Sequence, residues 1–236
     1  MNLVLFGLFV LFLVAIQFAS AKTVDEIVEK YIRVIGGSSK LGAIKSIYSE
    51  GLITIMGSTL IIKIYQSKEN SAAEKYTILW QLSDLSDNQY QTLQSPESIQ
   101  LMDKNIIECL AESAITAHLI NYITDGNKVS LIGKDVVEEI VCNKITVTIP
   151  TGLEINYWFN KSDGLLQQTA IKSIGTSATN AYNMRTKYAD YRAVQGVLFA
   201  HKIEIVFAGS ASIIYVNFNK IILNEPLNEN FVNTYY

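Results

Sequence analysis

The fold turns on YADYRAVQGVLFAHKIEI, residues 188–205, together with IILNEPLNENF, residues 221–231. Apolar and β-branched residues flank Gln195-Gly196, so the first segment reads as strand, tight turn, strand. The second reads as a strand that stops at Asn224-Glu225-Pro226, where proline removes a ladder donor.

The same pattern repeats upstream. Strands are expected over 128–134, 138–149, 154–160, 165–173, 181–194, 198–208 and 212–223. Turns are expected at Pro150-Thr151-Gly152, Lys161 to Gly164, Gln195-Gly196 and Gly209. Nearer the N-terminus, strands over 47–56 and 59–66 flank a hairpin turn placed at Gly57-Ser58. A third strand covers 75–82, and a short one is expected at 89–93. Leu60, Ile62 and Ile64 alternate with the more mixed Ile61, Lys63 and Tyr65, the period of a sheet with one apolar face.

Helices are few. Thr23-Val24-Asp25-Glu26 is a capping box: the Thr23 hydroxyl accepts from a backbone amide, and Glu26 reaches back. Val24, Ile27, Val28, Tyr31, Ile32 and Ile35 then lie on one helical face, and Gly36-Gly37 ends it. A short second helix is expected from Ser38 to Ile44. Between 99 and 122 helical spacing returns, with Ile106, Leu110, Ala114, Ala117 and Ile120 close to one stripe. About ten strands with so few helices must stack, close or curl. The expected fold is α+β, with a strongly curled antiparallel sheet, an incomplete β-barrel, wrapped around helices.

Residues 3–16 are almost wholly apolar, and Ala19-Ser20-Ala21 is a small-x-small cleavage pattern. This reads as a secretory signal peptide over 1–21. The alternative is a retained anchor, but the apolar run is shorter than the ~20 residues that span a bilayer. The remainder, 22–236, reads as one domain, with enough chain for one sizeable core.

A net charge of -3 and the lack of any Lys/Arg cluster argue against a nucleic-acid partner. No G-x-S-x-G elbow occurs, and the two histidines, His118 and His201, stand alone. No spacing suits a metal, so no metal or cofactor is expected. Gly36-Gly37-Ser38-Ser39-Lys40 resembles a phosphate loop, but a helix rather than a strand precedes it; a helix C-cap followed by an N-cap explains the same residues. Asp190 and Arg192 read as a solvated ion pair on one strand face. Cys109 and Cys142 would either pair in an oxidising compartment or remain as two buried thiols. The chain is not expected to be an enzyme.

The order of these pieces carries a resemblance. It includes the T-x-D-E-I-V-E-K-Y-I helix with its Gly36-Gly37 end, and Glu50-Gly51 and Met56-Gly57 in the first hairpin. Leu131 to Asp135, Tyr188 to Arg192, Val194 to Phe199 and Leu223 to Leu227 follow in sequence. Over nearly all of 22–236 the chain resembles the LolA-like outer-membrane lipoprotein-sorting proteins of Bacteroidetes-type bacteria. The resemblance implies a LolA/LolB-like fold with an apolar interior, and a periplasmic chaperone that carries lipoprotein acyl chains or lipid to the outer membrane. An inner-membrane donor and an outer-membrane acceptor would be its partners, and the carrier itself would be monomeric. No arginine here occupies a position matching the family's functional arginine, so no latching residue is carried over. Strand alternation nominates Ile53, Ile55, Leu60, Ile62, Ile64, Ile78, Trp80, Tyr157 and Phe159 as the interior, ligand-facing set. The alternative role on the same fold is a periplasmic sensor or regulator that binds a partner through an exposed apolar patch.

Overall fold

A computed structural model describes residues 23–68, 76–84, 110, 126–150, 152–172, 183–209 and 211–227, and for 68, 76–81 and 84 the backbone alone. The signal segment, the strand expected at 89–93, His118 and Cys109 lie outside the described residues. So does the helical stretch at 99–122, apart from Leu110.

Helix α1 spans Val24–Ile35 and α2 spans Ser38–Gly42. The capping box forms as the sequence implies. Glu26 N–H donates to the Thr23 hydroxyl at 3.2 Å, and Thr23 N–H donates to the Glu26 carboxylate at 3.0 Å. Such a cap stabilises a helix by about 1 kcal/mol. Gly36, at φ 140°, ends α1. α2 is shorter than expected, and Ile44 follows it into the core without being helical.

Ten strands follow: β1 Ser46–Ile55, β2 Ser58–Lys68, β3 Tyr76–Asp84, β4 Lys128–Val137, β5 Ile140–Thr148, β6 Glu154–Asn160, β7 Leu166–Lys172, β8 Met184–Val194, β9 Val197–Phe207 and β10 Ile213–Leu223. They form one sheet in the order β3-β2-β1-β10-β9-β8-β7-β6-β5-β4, with every neighbour antiparallel. The sheet is a meander whose last strand returns to pair with its first. β3 and β4 remain as its two edges, so the sheet does not close.

Two expectations need correction. The first hairpin turns at Met56-Gly57, φ 49° and 82°, one residue before the expected Gly57-Ser58. A two-residue hairpin loop whose twist matches the strands needs positive φ at both central positions. Glycine suits the second position, and Ser58 is needed in the ladder opposite Ile55. The second correction is at Glu138. It was expected to begin a strand, but with Glu139 it forms the β4–β5 turn, at φ 46° and 70°. Two glutamates carry no turn signal, and the left-handed region is costly for them.

The curl follows from what α1 touches. α1 contacts both β9 and β4, which lie five strand steps apart. Flat, those strands would be about 24 Å apart, whereas a 12-residue helix is about 18 Å long. The sheet therefore bends around the helix. Ile27, Val28, Tyr31 and Ile35 bury the apolar face of α1 against the concave side, where the Tyr31 ring meets Phe159 at 5.0 Å. Two lysines fix the helical segment to the strand turns: Lys30 Nζ donates to the carbonyls of Lys161 and Ser162 at 3.0 and 2.7 Å, and Lys40 Nζ to that of Gly196 at 3.3 Å.

Candidate functional site

Strand alternation sends one row of side chains after another to the concave face, and cross-strand register aligns them. One row runs Ile145, Tyr157, Thr169, Thr186, Ile205, Ile214 across β5 to β10. A second runs Leu60, Ile53, Val216, Ile203, Tyr188 across β2, β1, β10, β9 and β8. All of these residues are buried. Full burial of one such aliphatic or aromatic side chain contributes about 1.5–3 kcal/mol.

Seven of the nine nominated residues have described side chains: Ile53, Ile55, Leu60, Ile62, Ile64, Tyr157 and Phe159. All are between 0 and 7% exposed and belong to one cluster with the apolar face of α1. Tyr157 and Phe159 stack with ring centroids 6.2 Å apart. Register places Trp80 opposite Ile64 and Ile78 opposite Gln66 on β3; their side chains are not described. The structure thus gathers the seven on one wall.

Ile145, Val147, Ile155, Ile203, Ile205, Ile214 and Val216 line the same face. The signal that marked Leu60, Ile62 and Ile64 was equally present in β5, β9 and β10. Leu110, in the chain between the edges β3 and β4, is helical, 1% exposed and part of the same cluster.

The Thr169 and Tyr188 hydroxyls are 2.9 Å apart, and the Tyr191 hydroxyl donates to the Leu166 carbonyl at 2.8 Å. Burial, helped by the neighbouring Tyr31 and Tyr188, pushes the Tyr191 phenol well above its ordinary value.

Among the described residues, those with catalytic potential lie apart. His201 is buried on β9, with Nδ1 3.0 Å from the Phe199 carbonyl. Asp190 and Arg192 form a two-pronged ion pair at 3.0 and 2.6 Å on the solvated side. The guanidinium beside Asp190 holds that carboxyl below its usual value. Among the described residues no group of three or more His, Cys, Asp or Glu could hold a metal.

An unclosed antiparallel sheet curled around an apolar face and an N-terminal helix is a LolA-like fold, and solved structures share it. A LolA superfamily protein from Nitrosomonas europaea matches with a TM-score of 0.51 at 12% identity, over 89% of this chain and 98% of that one. A DUF1329 family protein from Desulfovibrio piger matches with a TM-score of 0.50 at 12% identity, over 88% and 96%. No protein-family model and no curated protein matches the sequence. At this identity the likeness establishes the fold, in agreement with the resemblance carried by the sequence.

Proposed function

We propose that this protein is a periplasmic carrier that takes lipoprotein acyl chains, or lipid, into its concave interior and delivers them to the outer membrane. The observation that carries the reading is the concave wall: aliphatic and aromatic rows, buried together with the apolar face of α1, on a sheet left open between β3 and β4. Each acyl CH₂ removed from water is stabilised by about 0.8 kcal/mol, so a water-soluble carrier needs such a surface. Delivery then requires an acceptor of higher affinity and no covalent chemistry. An inner-membrane donor and an outer-membrane acceptor belong to this reading, as do cleavage of residues 1–21 and a monomeric state. No described helix is long and apolar enough to cross a membrane.

Native mass spectrometry of protein purified without detergent tests the reading. Co-purified lipid or acylated peptide is the expected result. Binding of a fluorescent long-chain fatty acid should weaken on the order of tenfold in Leu60→Gln, because a buried amide without partners opposes an acyl chain. Unchanged affinity in a folded variant would remove the concave wall from the binding site.

A second reading has an observation of its own. Ile132 and Val136 on the edge strand β4 are 57% and 60% exposed, and Val141 on β5 is also exposed. A sensor that binds a partner through a sheet edge would present such a strip. In that case lipid would be absent from the purified protein, and Val136→Lys would abolish partner capture while leaving fatty-acid binding untouched.

A further inference from the structure

The tip of the β4–β5 hairpin does something a plain hairpin would not. It folds back onto the convex face of the sheet and builds a second small core there. Val137 and Ile140, on either side of the turn, pack with Cys142, Trp158 and Ala170, away from the main core. Asp135 completes this core by accepting from the Trp158 indole N–H at 2.9 Å, and the Lys144 ammonium lies 4.6 Å from the centre of the Trp158 ring.

Beyond this patch the tip does not lie flush. A groove of about 400 Å³ separates it from β8, β9 and β10, bordered by Val137, Glu138, Lys202, Tyr215 and Asn217. One polar clasp crosses that groove. The Lys187 ammonium on β8 is held between the Glu138 carboxylate of the tip and the Glu204 carboxylate of β9, the latter at 3.3 Å. The turn is itself strained, with Glu138 and Glu139 both in the left-handed region. A strained turn, a small satellite core, a void alongside and a charged clasp meet at this one tip.

We propose that the β4–β5 tip is a latch on the convex face, closed by Lys187 between Glu138 and Glu204, whose opening uncovers Cys142 and Trp158 without unfolding the sheet. Of the other charged groups, Lys202 borders the groove, and Asp135 and Lys144 of the hairpin pair with each other at 3.7 Å beside Trp158. Salt screens exposed ion pairs, so the closed state weakens as ionic strength rises. β4 is also an edge of the sheet, so releasing its tip loosens one border of the opening to the concave face. That last consequence rests on the carrier reading; the latch does not.

Cys142 is a built-in reporter. It is fully buried, and burial, helped by the Asp135 charge, pushes its thiol up to about 11. Closed, it is both covered and un-ionised at neutral pH; opened, it regains the reactivity of an ordinary thiol. The full chain is labelled with an aromatic disulfide reagent at neutral pH, and peptide mapping separates Cys142 from Cys109. Lys187→Met should speed Cys142 labelling on the order of threefold to tenfold, as loss of one or two partly exposed ion pairs implies. Raising the salt concentration should speed wild type and leave the variant unchanged. Glu138→Gln provides the same reading if Lys187→Met folds poorly. Equal labelling rates in wild type and folded variants would overturn the latch. So would a urea dependence of labelling as steep as that of global unfolding, because Cys142 would then be reached only through the unfolded chain. Fatty-acid exchange in Lys187→Met should also be faster. Faster labelling with unchanged exchange would sever the latch from the opening, and a protein that binds no fatty acid would sink the carrier reading while the thiol rates still decide the latch.

Discussion

Gly51→Ala tests the joint on which the sheet depends. Gly51 lies in β1 at a register break in the β1–β10 pairing, between Glu50 and Gly51. That pairing joins β1 to β3 onto the β4-to-β10 meander. A Cβ on Gly51 would sit 2.2 Å from the Asn217 carbonyl oxygen and 2.7 Å from the Phe218 Cα. Both are backbone atoms of a paired strand, so neither can swing aside as a side-chain end would. Overpacking a core typically costs 1–3 kcal/mol. Here relief requires moving a strand, so the upper end, about 3 kcal/mol, is expected. For a chain of this size about 2–4 °C are lost per kcal/mol, so the thermal midpoint should fall by roughly 6–12 °C. Gly42→Ala is the control. Gly42 is helical, and an added Cβ meets nothing within 4 Å. It should stabilise by about 0.5–1 kcal/mol through helix propensity and a stiffer unfolded chain. Thermal and urea unfolding followed by circular dichroism measure both. A Gly51→Ala midpoint within 2 °C of wild type would show that β1 and β10 do not approach as closely as the ladder requires.

Other consequences are more local. Glu139→Gly should stabilise the fold by roughly 1 kcal/mol, because φ 70° at Glu139 costs glycine little; a lower urea midpoint at constant slope would contradict the strained turn. Asp135 is held below its ordinary value, chiefly by the Trp158 indole hydrogen bond and then by the Val136 amide. A carboxylate depressed in the folded state contributes stability that is present above its unfolded value, near 4, and lost as the pH falls through the folded one. Trp158 fluorescence in a Trp80→Phe background should therefore show an acid transition below about pH 4 that Asp135→Asn flattens; coincident acid curves would refute this.

The sequence made most of the wall legible because the strands obey a single rule. Glu154–Asn160 was placed to the residue, and the Gln195-Gly196 turn likewise, since alternation and turn chemistry are both local. The curl was legible only as a count of many strands against few helices. Its cause is α1 bridging β4 and β9, a contact between residues about a hundred or more positions apart that no local pattern announces. Glu138-Glu139 stayed hidden for a different reason. Packing of Val137 and Ile140 onto Trp158 outweighs the propensity of two glutamates, so tertiary structure sets the turn. The seven described residues of the nominated set were recognisable as an inward face from periodicity alone. Their continuation through β5, β9 and β10 carried the same signal.

The open seam also has a covalent origin. β3 and β4 are consecutive strands, and a hairpin loop of 2–5 residues would have paired them and closed the barrel. Instead about forty residues separate them, from 85 to 127. The one residue of 85–125 that is described, Leu110, is helical and buried in the main core with Ile53, Tyr157 and α1. Leu110 thus places one point of the connection between the two edges on the inner face. Leu110 is held there by side-chain packing, and a packed side chain can be displaced where a hydrogen-bonded ladder cannot be without breaking its bonds. On the carrier reading, a guest would compete with Leu110 for the same wall. Leu110→Ala should then destabilise the empty protein by about 2–5 kcal/mol while tightening fatty-acid binding. A variant that loses stability and affinity together would place the guest elsewhere.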